Sequence, residues 1–274
     1  MLVPTHGQQP LTTAKILCNT ITYAVVRSAI RPPAGGWLAS QWHWYRFPFS
    51  LRNTVLWSPF LRKWFSAENE SAIECMLRLP AYEPFEWVEP RPGDVILDLG
   101  PYVGPYSLNS ATAVGPSGRV IALEPDEINR RQLERNLMLN GVANCTVVPK
   151  AAWRRSGRVG WQVAAQPVWH RVDESNTTAT VEAISVDELV AEQNLNRVDW
   201  IKLDIEGGEI EALEGARNTL RKFSPALFIE IHKTTTSLRE LLAAVGYKIE
   251  KESYDEPPDI HGWFLARSMG RDGQ

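Results

Sequence analysis

The 274-residue chain has no run of 18 or more apolar residues, so nothing in it reads as a membrane-spanning helix. It has only three cysteines, Cys18, Cys75 and Cys145, far apart and without a C-x-x-C pair. That excludes a cysteine zinc cage and a disulfide framework, and leaves three small hydrophobes with reduced thiols. A net charge of −3 offers no global attraction to nucleic acid. One absence is local. From Met1 to Ser66 there is no Asp or Glu, whereas Lys15, Arg27, Arg31, Arg46, Arg52, Arg62 and Lys63 give seven positive charges, which leaves −10 for the rest of the chain. The same segment holds Trp37, Trp42, Trp44, Trp57 and Trp64. This shift in composition marks a boundary between Ser66 and Glu89. Residues 1–88 read as a basic, aromatic, helical extension, a cap or a membrane-surface segment, and residues 89–274 as the main domain.

From Pro92 onward, apolar runs alternate with helical spacing. "VILDLG" (95–100) is the short continuous apolar run of a strand buried on both faces of a parallel sheet. A helix is expected from about Pro105 to Val114, stopped by Gly115. "RVIALEP" reads as a second strand, and Asp126 caps the next helix, which carries Leu133 and Leu137 and ends at Gly141. "CTVVP" is a third strand. Between Lys150 and Ile184 only "GRVGWQV" and "TATVEAIS" look like strand pieces, set around a polar loop. Ser185 and Glu188 form a capping box, and "VDWIKLDI" is a fourth strand. Ile210, Leu213, Ala216, Leu220 and Phe223 share one face of a single helix. "PALFIEIH" is a fifth strand, Ser237 with Glu240 opens a helix that ends near Gly246, and "YKIEKES" and "GWFLARS" close the chain as a hairpin. Repeated βα units imply an α/β fold with a doubly wound, mostly parallel, Rossmann-like sheet. The hairpin is expected to place one antiparallel strand at its edge.

In such a sheet, ligands bind beyond the carboxyl ends of the strands, where strand order reverses. The loop after "VILDLG" belongs there. Gly100 lets the chain turn off the strand, and Gly104 is expected to let backbone approach a ligand without a Cβ in the way. Glu124 ends the second strand, where an acid accepts hydrogen bonds from ribose hydroxyls. The dinucleotide fingerprint G-x-G-x-x-G is missing: the pattern here is G-x-x-x-G, with bulky Tyr102 and Val103 inside it, and no Walker lysine follows. A ligand without phosphates fits that loop. S-adenosylmethionine qualifies, with Asp98 or a neighbouring backbone group on its ammonium and Glu124 on its ribose.

"VILDLGPYVGPYSL", "VIALEPDEINRRQLERNLMLNG", "VDWIKLDIEGGEIEALEGA" and "PALFIEIH" together resemble the FkbM family of S-adenosylmethionine-dependent methyltransferases, over about Pro92 to Gly246. The resemblance implies a class I methyltransferase fold, an S-adenosylmethionine site in residues 89–274, and O-methylation of a hydroxyl on a sugar, polyketide or other natural product. One departure is visible: the family often has Ala-Asn after the first loop glycine, where this chain has Pro101 and Tyr102. Tyr102 then contacts the cofactor in place of the asparagine, or narrows its pocket.

Methyl transfer to an alcohol needs the acceptor oxygen aligned and its proton removed. Asp204 and Glu206 follow the fourth strand, and Glu230 and His232 end the fifth. His232 is the expected base, since an unperturbed imidazole titrates at about 6.5. Asp204, Glu230 and His232 are alternatively ligands for Mg²⁺, which would lower the acceptor's pKa. Asp204 also faces the cofactor. Two other classes share the fold: a nicotinamide oxidoreductase, against which the missing third glycine argues, and a non-catalytic cofactor-binding module, against which the intact strand-end acids argue. A nucleic-acid methyltransferase is a substrate variant, because the tryptophans of the front segment can stack on bases. As a lid, that segment closes over a small-molecule acceptor; as an anchor, it binds an anionic membrane surface through residues 1–66 and points to a lipid-linked acceptor. The expected location is cytoplasmic, peripheral at the membrane in the anchored case.

Overall fold

The computed structural model describes residues 54–58, 60–78, 83–176, 178–254 and 260–270. Expectations for residues 1–53, including Trp37, Trp42, Trp44 and Cys18, lie outside the described residues. The described part of the front segment opens as a hairpin of β1 (Thr54–Ser58) and β2 (Lys63–Ala67), followed by α1 (Glu70–Arg78). A helical extension was expected, but the alternation of buried Leu56 with exposed Trp57 is that of a half-buried strand. Leu56, Leu61 and Phe65 enter the same core as Ile96, Leu108 and Leu133. Side-chain amides hold the hairpin's second strand to α3 (Glu127–Leu139). Ser66 N donates to Asn136 Oδ1 at 2.7 Å and Gln132 Nε2 donates to Ser66 O at 2.6 Å, while Trp64 N donates to Asn140 Oδ1 at 2.9 Å.

The central sheet has seven strands. β3 (Val95–Leu99), β4 (Arg119–Leu123) and β5 (Cys145–Val148) run outward on one side, and β10 (Trp200–Leu203) and β11 (Ala226–His232) on the other, all parallel. All five residues of β3 are buried, the four apolar ones as a central strand requires and Asp98 with them. Strand order reverses between β3 and β10, so the switch point lies where the sequence placed it. α2 (Pro105–Val114) follows the glycine loop, and Asp126 caps α3 by accepting from Ile128 N and Asn129 N.

Three expectations change. The terminal hairpin, β12 (Tyr247–Tyr254) and β13 (His261–Ser268), does not put its antiparallel strand at the edge: β13 inserts between β11 and β12. Its run from Gly262 to Ala266 is buried throughout, whereas β12 exposes Lys248, Glu250, Lys251 and Glu252, so the polar strand takes the edge. The long helix around Ile210–Phe223 is divided into α5 (Glu209–Glu214) and α6 (Arg217–Phe223). At the break, a Cβ on Gly215 would stand 2.4 Å from Trp153 O. The helix expected to open at Ser237 starts at Thr235, as α7 (Thr235–Ala244). α4 (Val186–Glu192) is capped by Ser185, which accepts from Glu188 N.

The stretch from 151 to 184 forms a small sheet of its own, from β6 (Ala151–Ala152), β7 (Gly157–Gln162), β8 (Arg171–Val172) and β9 (Thr180–Ile184). It leans over the carboxyl end of β4. Cys75 and Cys145 are free, and burial pushes both thiols up, Cys145 to about 12, as inert hydrophobes would be.

Candidate functional site

A cleft opens at the switch point, between the loops that follow β3, β4 and β10, and the small sheet roofs it. Gly100 and Tyr102 line one side, Glu124 and Pro125 the next, and Asp204 and Glu206 the third, with Trp161 and His170 overhead. His170 Nδ1 lies 3.2 Å from Asp126 Oδ2, which ties the roof to the start of α3.

Gly100 sits at φ +79°, and a Cβ there would overlap Asp204 O at 1.8 Å. The loop after β3 therefore runs in direct contact with the end of β10, and no other residue fits. Gly104 does something different from what the sequence implied. It adopts φ +95° at the N-cap of α2, and its missing Cβ makes room for Leu133 Cδ1, 2.4 Å away. It does not line the cleft. Tyr102, at φ +51°, lines the cleft, while its hydroxyl turns away to donate to Asn69 Oδ1 at 3.0 Å.

Glu124 is 5% exposed and ends β4 as expected. Burial pushes its carboxyl up to about 8, against the opposing hydrogen bond from Asp126 N at 2.9 Å. Asp98 is placed otherwise than expected. It is 1% exposed and lies beneath the loop, accepting from Ser107 Oγ at 2.5 Å, with Lys202 Nζ 3.6 Å away. It does not line the cleft, and burial raises its pKa despite Lys202.

Lys202 is the residue that sequence reasoning passed over. It sits inside β10 with its side chain buried, donating to Gly100 O at 2.7 Å and to Asp204 Oδ2 at 3.1 Å, over the ring of Tyr106. Burial works against its charge, yet Asp204, Asp98 and Glu83 together hold its pKa above the ordinary lysine value. The signal was present in "WIKLD": a lysine in a strand otherwise buried on both faces must have an acid partner. Asp204 is itself held below the ordinary carboxylate value, since Lys202, a hydrogen bond from Glu230 and His232 outweigh its burial.

His232 is surrounded by acids. Its Nδ1 lies 3.0 Å from Glu209 Oε1 and its Nε2 3.5 Å from Glu206 Oε2 and 3.8 Å from Glu230 Oε1. Burial opposes its charge, but Glu209 and Glu206 raise its pKa to about 9. With no cation bound, these acids favour the protonated imidazole at neutral pH, which removes the physical ground on which it was expected to act as base. Burial pushes Glu206 up to about 7. Glu230 is raised well above the carboxylate range, by burial and by Asp204. The ligand set expected from the sequence falls into two overlapping groups whose donor atoms lie within 4.8 Å of one another: Asp204, Glu206 and His232, and Glu230, His232 and His261. His261 was not foreseen. It joins the site because β13 pairs with β11 and sets His261 opposite His232.

The family model described as Methyltransferase FkbM domain matches residues 98–249, more than half of the chain. Hexuronic acid methyltransferase AglP of Haloferax volcanii is 29% identical over 149 residues, which cover 53% of this chain and 58% of that protein. The chain therefore matches less than two thirds of the length of this curated relative. Among solved structures, a methyltransferase FkbM from Methylobacillus flagellatus superposes with a TM-score of 0.47 at 20% identity, covering 72% of this chain and 55% of that one. Aeropyrum pernix fibrillarin, solved with natively bound S-adenosyl-L-methionine, gives a TM-score of 0.44 at 16% identity, over 65% of this chain and 68% of that one.

Proposed function

Since the chain belongs to the methyltransferase FkbM domain family, we propose that it methylates a hydroxyl oxygen with S-adenosylmethionine, and that the hydroxyl is carried by a sugar. The observation that carries this reading is the cleft at the β3–β10 switch point, where a glycine that admits no Cβ and a buried strand-end acid face each other. The donor set fits the cofactor. Glu124 is placed to accept from the ribose hydroxyls, and Asp204, the acid that does line the cleft, replaces Asp98 as the partner of the ammonium. Lys202 holds the Gly100 carbonyl and Asp204 in one rigid unit, so the two sides of the site are set before the ligand arrives. Bound there, S-adenosylmethionine supplies a methyl group on a sulfonium that leaves as a neutral thioether.

What remains for the protein is to hold the acceptor and take its proton. Glu206 lines the cleft, partly open to solvent, and offers a carboxylate oxygen where His232 offers none. We assign it the proton acceptor's role. The acceptor class is supported by the named activity of the Haloferax volcanii relative. A lipid-linked sugar and a peripheral membrane location are supported by the hairpin, which exposes Trp57 and Phe60 beside Arg62.

The test combines binding and turnover on the purified full chain. Calorimetry is expected to show S-adenosylmethionine affinity and none for NAD. Methyl-labelled cofactor, offered with hexuronic acids, neutral sugars and lipid-linked sugars, is expected to label a sugar hydroxyl. Absence of S-adenosylmethionine binding refutes the reading, and label on nitrogen or on a nucleic acid refutes the acceptor class.

A further inference from the structure

We propose that Glu230, His232 and His261 form a divalent transition-metal site of the zinc class at the paired ends of β11 and β13, next to Glu206 of the cleft. The three residues share one face of the sheet. Glu230 and His232 are two apart on β11, so they point the same way, and His261 is the cross-strand partner of His232. His261 Nε2 lies 2.6 Å from Glu230 Oε1, and His232 Nε2 lies 3.8 Å from the same oxygen. Around an ion with bonds of about 2.0–2.1 Å, tetrahedral donor atoms stand about 3.3 Å apart, so side-chain shifts of under about 1 Å bring these three into coordination.

Two further observations point to a cation. His232 is oriented as a metal ligand is: Glu209, fully buried, takes its Nδ1 at 3.0 Å and leaves Nε2 facing the other donors, where a cation would take the place of the Nε2 proton. The second oxygen of Glu209 is buried with no hydrogen-bond partner among the described residues. Four carboxyl groups, those of Asp204, Glu206, Glu209 and Glu230, converge there on two histidines and the Lys202 ammonium. Two imidazoles beside one carboxylate select against the Mg²⁺ expected from the sequence, which takes oxygen ligands, and for a nitrogen-accepting ion.

The inference rests on the methyltransferase reading only for its role. A cation here would bind the acceptor's hydroxyl oxygen beside Glu206, which stands 3.5 Å from His232 Nε2. There it would lower the hydroxyl's pKa, so that the proton would go to Glu206 and the electron pair would stay on the acceptor oxygen that takes the methyl group.

The experiment uses the untagged full chain, stripped with chelator and titrated with Zn²⁺ alone by calorimetry and with Co²⁺ by visible absorption. One ion per chain is expected, with a four- or five-coordinate cobalt spectrum. His261→Gln and Glu230→Gln, checked for folding by circular dichroism, are expected to weaken binding about 10–100-fold or more. His170→Gln, outside the cluster, is expected to leave it unchanged. No binding by the parent, or equal binding by folded His261→Gln, overturns the site. S-adenosylmethionine affinity, measured in chelator, separates this from the function: its retention without metal binding removes the metal site alone, and its loss with metal binding intact removes the cofactor reading alone.

Discussion

Replacing Glu124 with glutamine keeps the shape of the side chain and removes its titration. In the ligand-free cleft, burial holds this carboxyl protonated up to about 8, against a usual value of 4.5. Ribose hydroxyls donate to a carboxylate, so the cofactor binds the ionised form better. Hydrogen bonds to a charged group contribute about 1.5–3 kcal/mol each, and a net preference of about 2.7 kcal/mol corresponds to two pKa units. The complex then titrates at about 6. Between about pH 6 and 8 the free protein holds a proton that the complex has released, so the dissociation constant falls about tenfold per pH unit, and it is level above 8. The cofactor's own amine titrates at about 7.7–8.0, so the quantity to compare is the difference between parent and variant. Calorimetry at pH 6, 7, 8 and 9, in two buffers of different ionisation enthalpy, is expected to show one fewer proton released by Glu124→Gln at pH 7 and a dissociation constant about 100-fold weaker than the parent's at pH 8. Stability carries an independent sign. A folded pKa above the unfolded value favours the folded state at low pH, an advantage lost as pH rises from 4.5 to about 8. Without cofactor, Glu124→Gln should therefore melt above the parent by a margin that grows across this window. Identical pH slopes for the two proteins would refute the placement of Glu124 on the ribose.

Lys202→Met leaves Asp98 and Asp204 without their buried cation and is expected to cost about 3–5 kcal/mol, read as a fall in urea midpoint at pH 7; an unchanged midpoint contradicts the ion-pair account. Gly104→Ala puts a Cβ at φ +95° against Leu133 and is expected to destabilise by about 1–3 kcal/mol while the folded fraction keeps its cofactor affinity. Lost affinity in a fully folded Gly104→Ala protein would return Gly104 to the ligand's side. For the hairpin, the full chain is expected to float with anionic vesicles and to be released only partly by salt, because the Trp57 and Phe60 contribution is not screened. Trp57→Ser with Phe60→Ser should make release by salt complete, and failure of the parent to float rejects the membrane location.

The residues whose fate is local were legible in the sequence. β3, β4, β10 and β11 are short, predominantly apolar runs, the composition expected of strands buried on both faces. Asp126 and Ser185 cap the helices that follow them because a cap needs only the next three residues. Glu124 and Asp204 reach the cleft because every parallel strand ends at the same side of the sheet, so position at a strand end is enough to place them. Gly100 was legible as a turn, but not as the point where backbone touches Asp204, a contact made by chain far away in sequence.

Tertiary structure decided the rest. Asp98 and Gly104 carry the right residue types for the cofactor, yet one faces Lys202 and Ser107 and the other Leu133; only packing settles which way a loop turns its side chains. The roof with Trp161 and His170 depends on a small sheet whose strands pair in an order that period-two patterning does not encode. His232 looked like a base because its intrinsic titration is all that a sequence reports; the acids that hold its proton arrive from α5 and from the turn before it. His261 meets Glu230 across 31 residues of chain, through the insertion of β13 beside β11. Periodicity and capping act over a few residues, whereas strand order and register are set by what the whole chain buries, and the chemistry at the end of β11 belongs to that second kind of information.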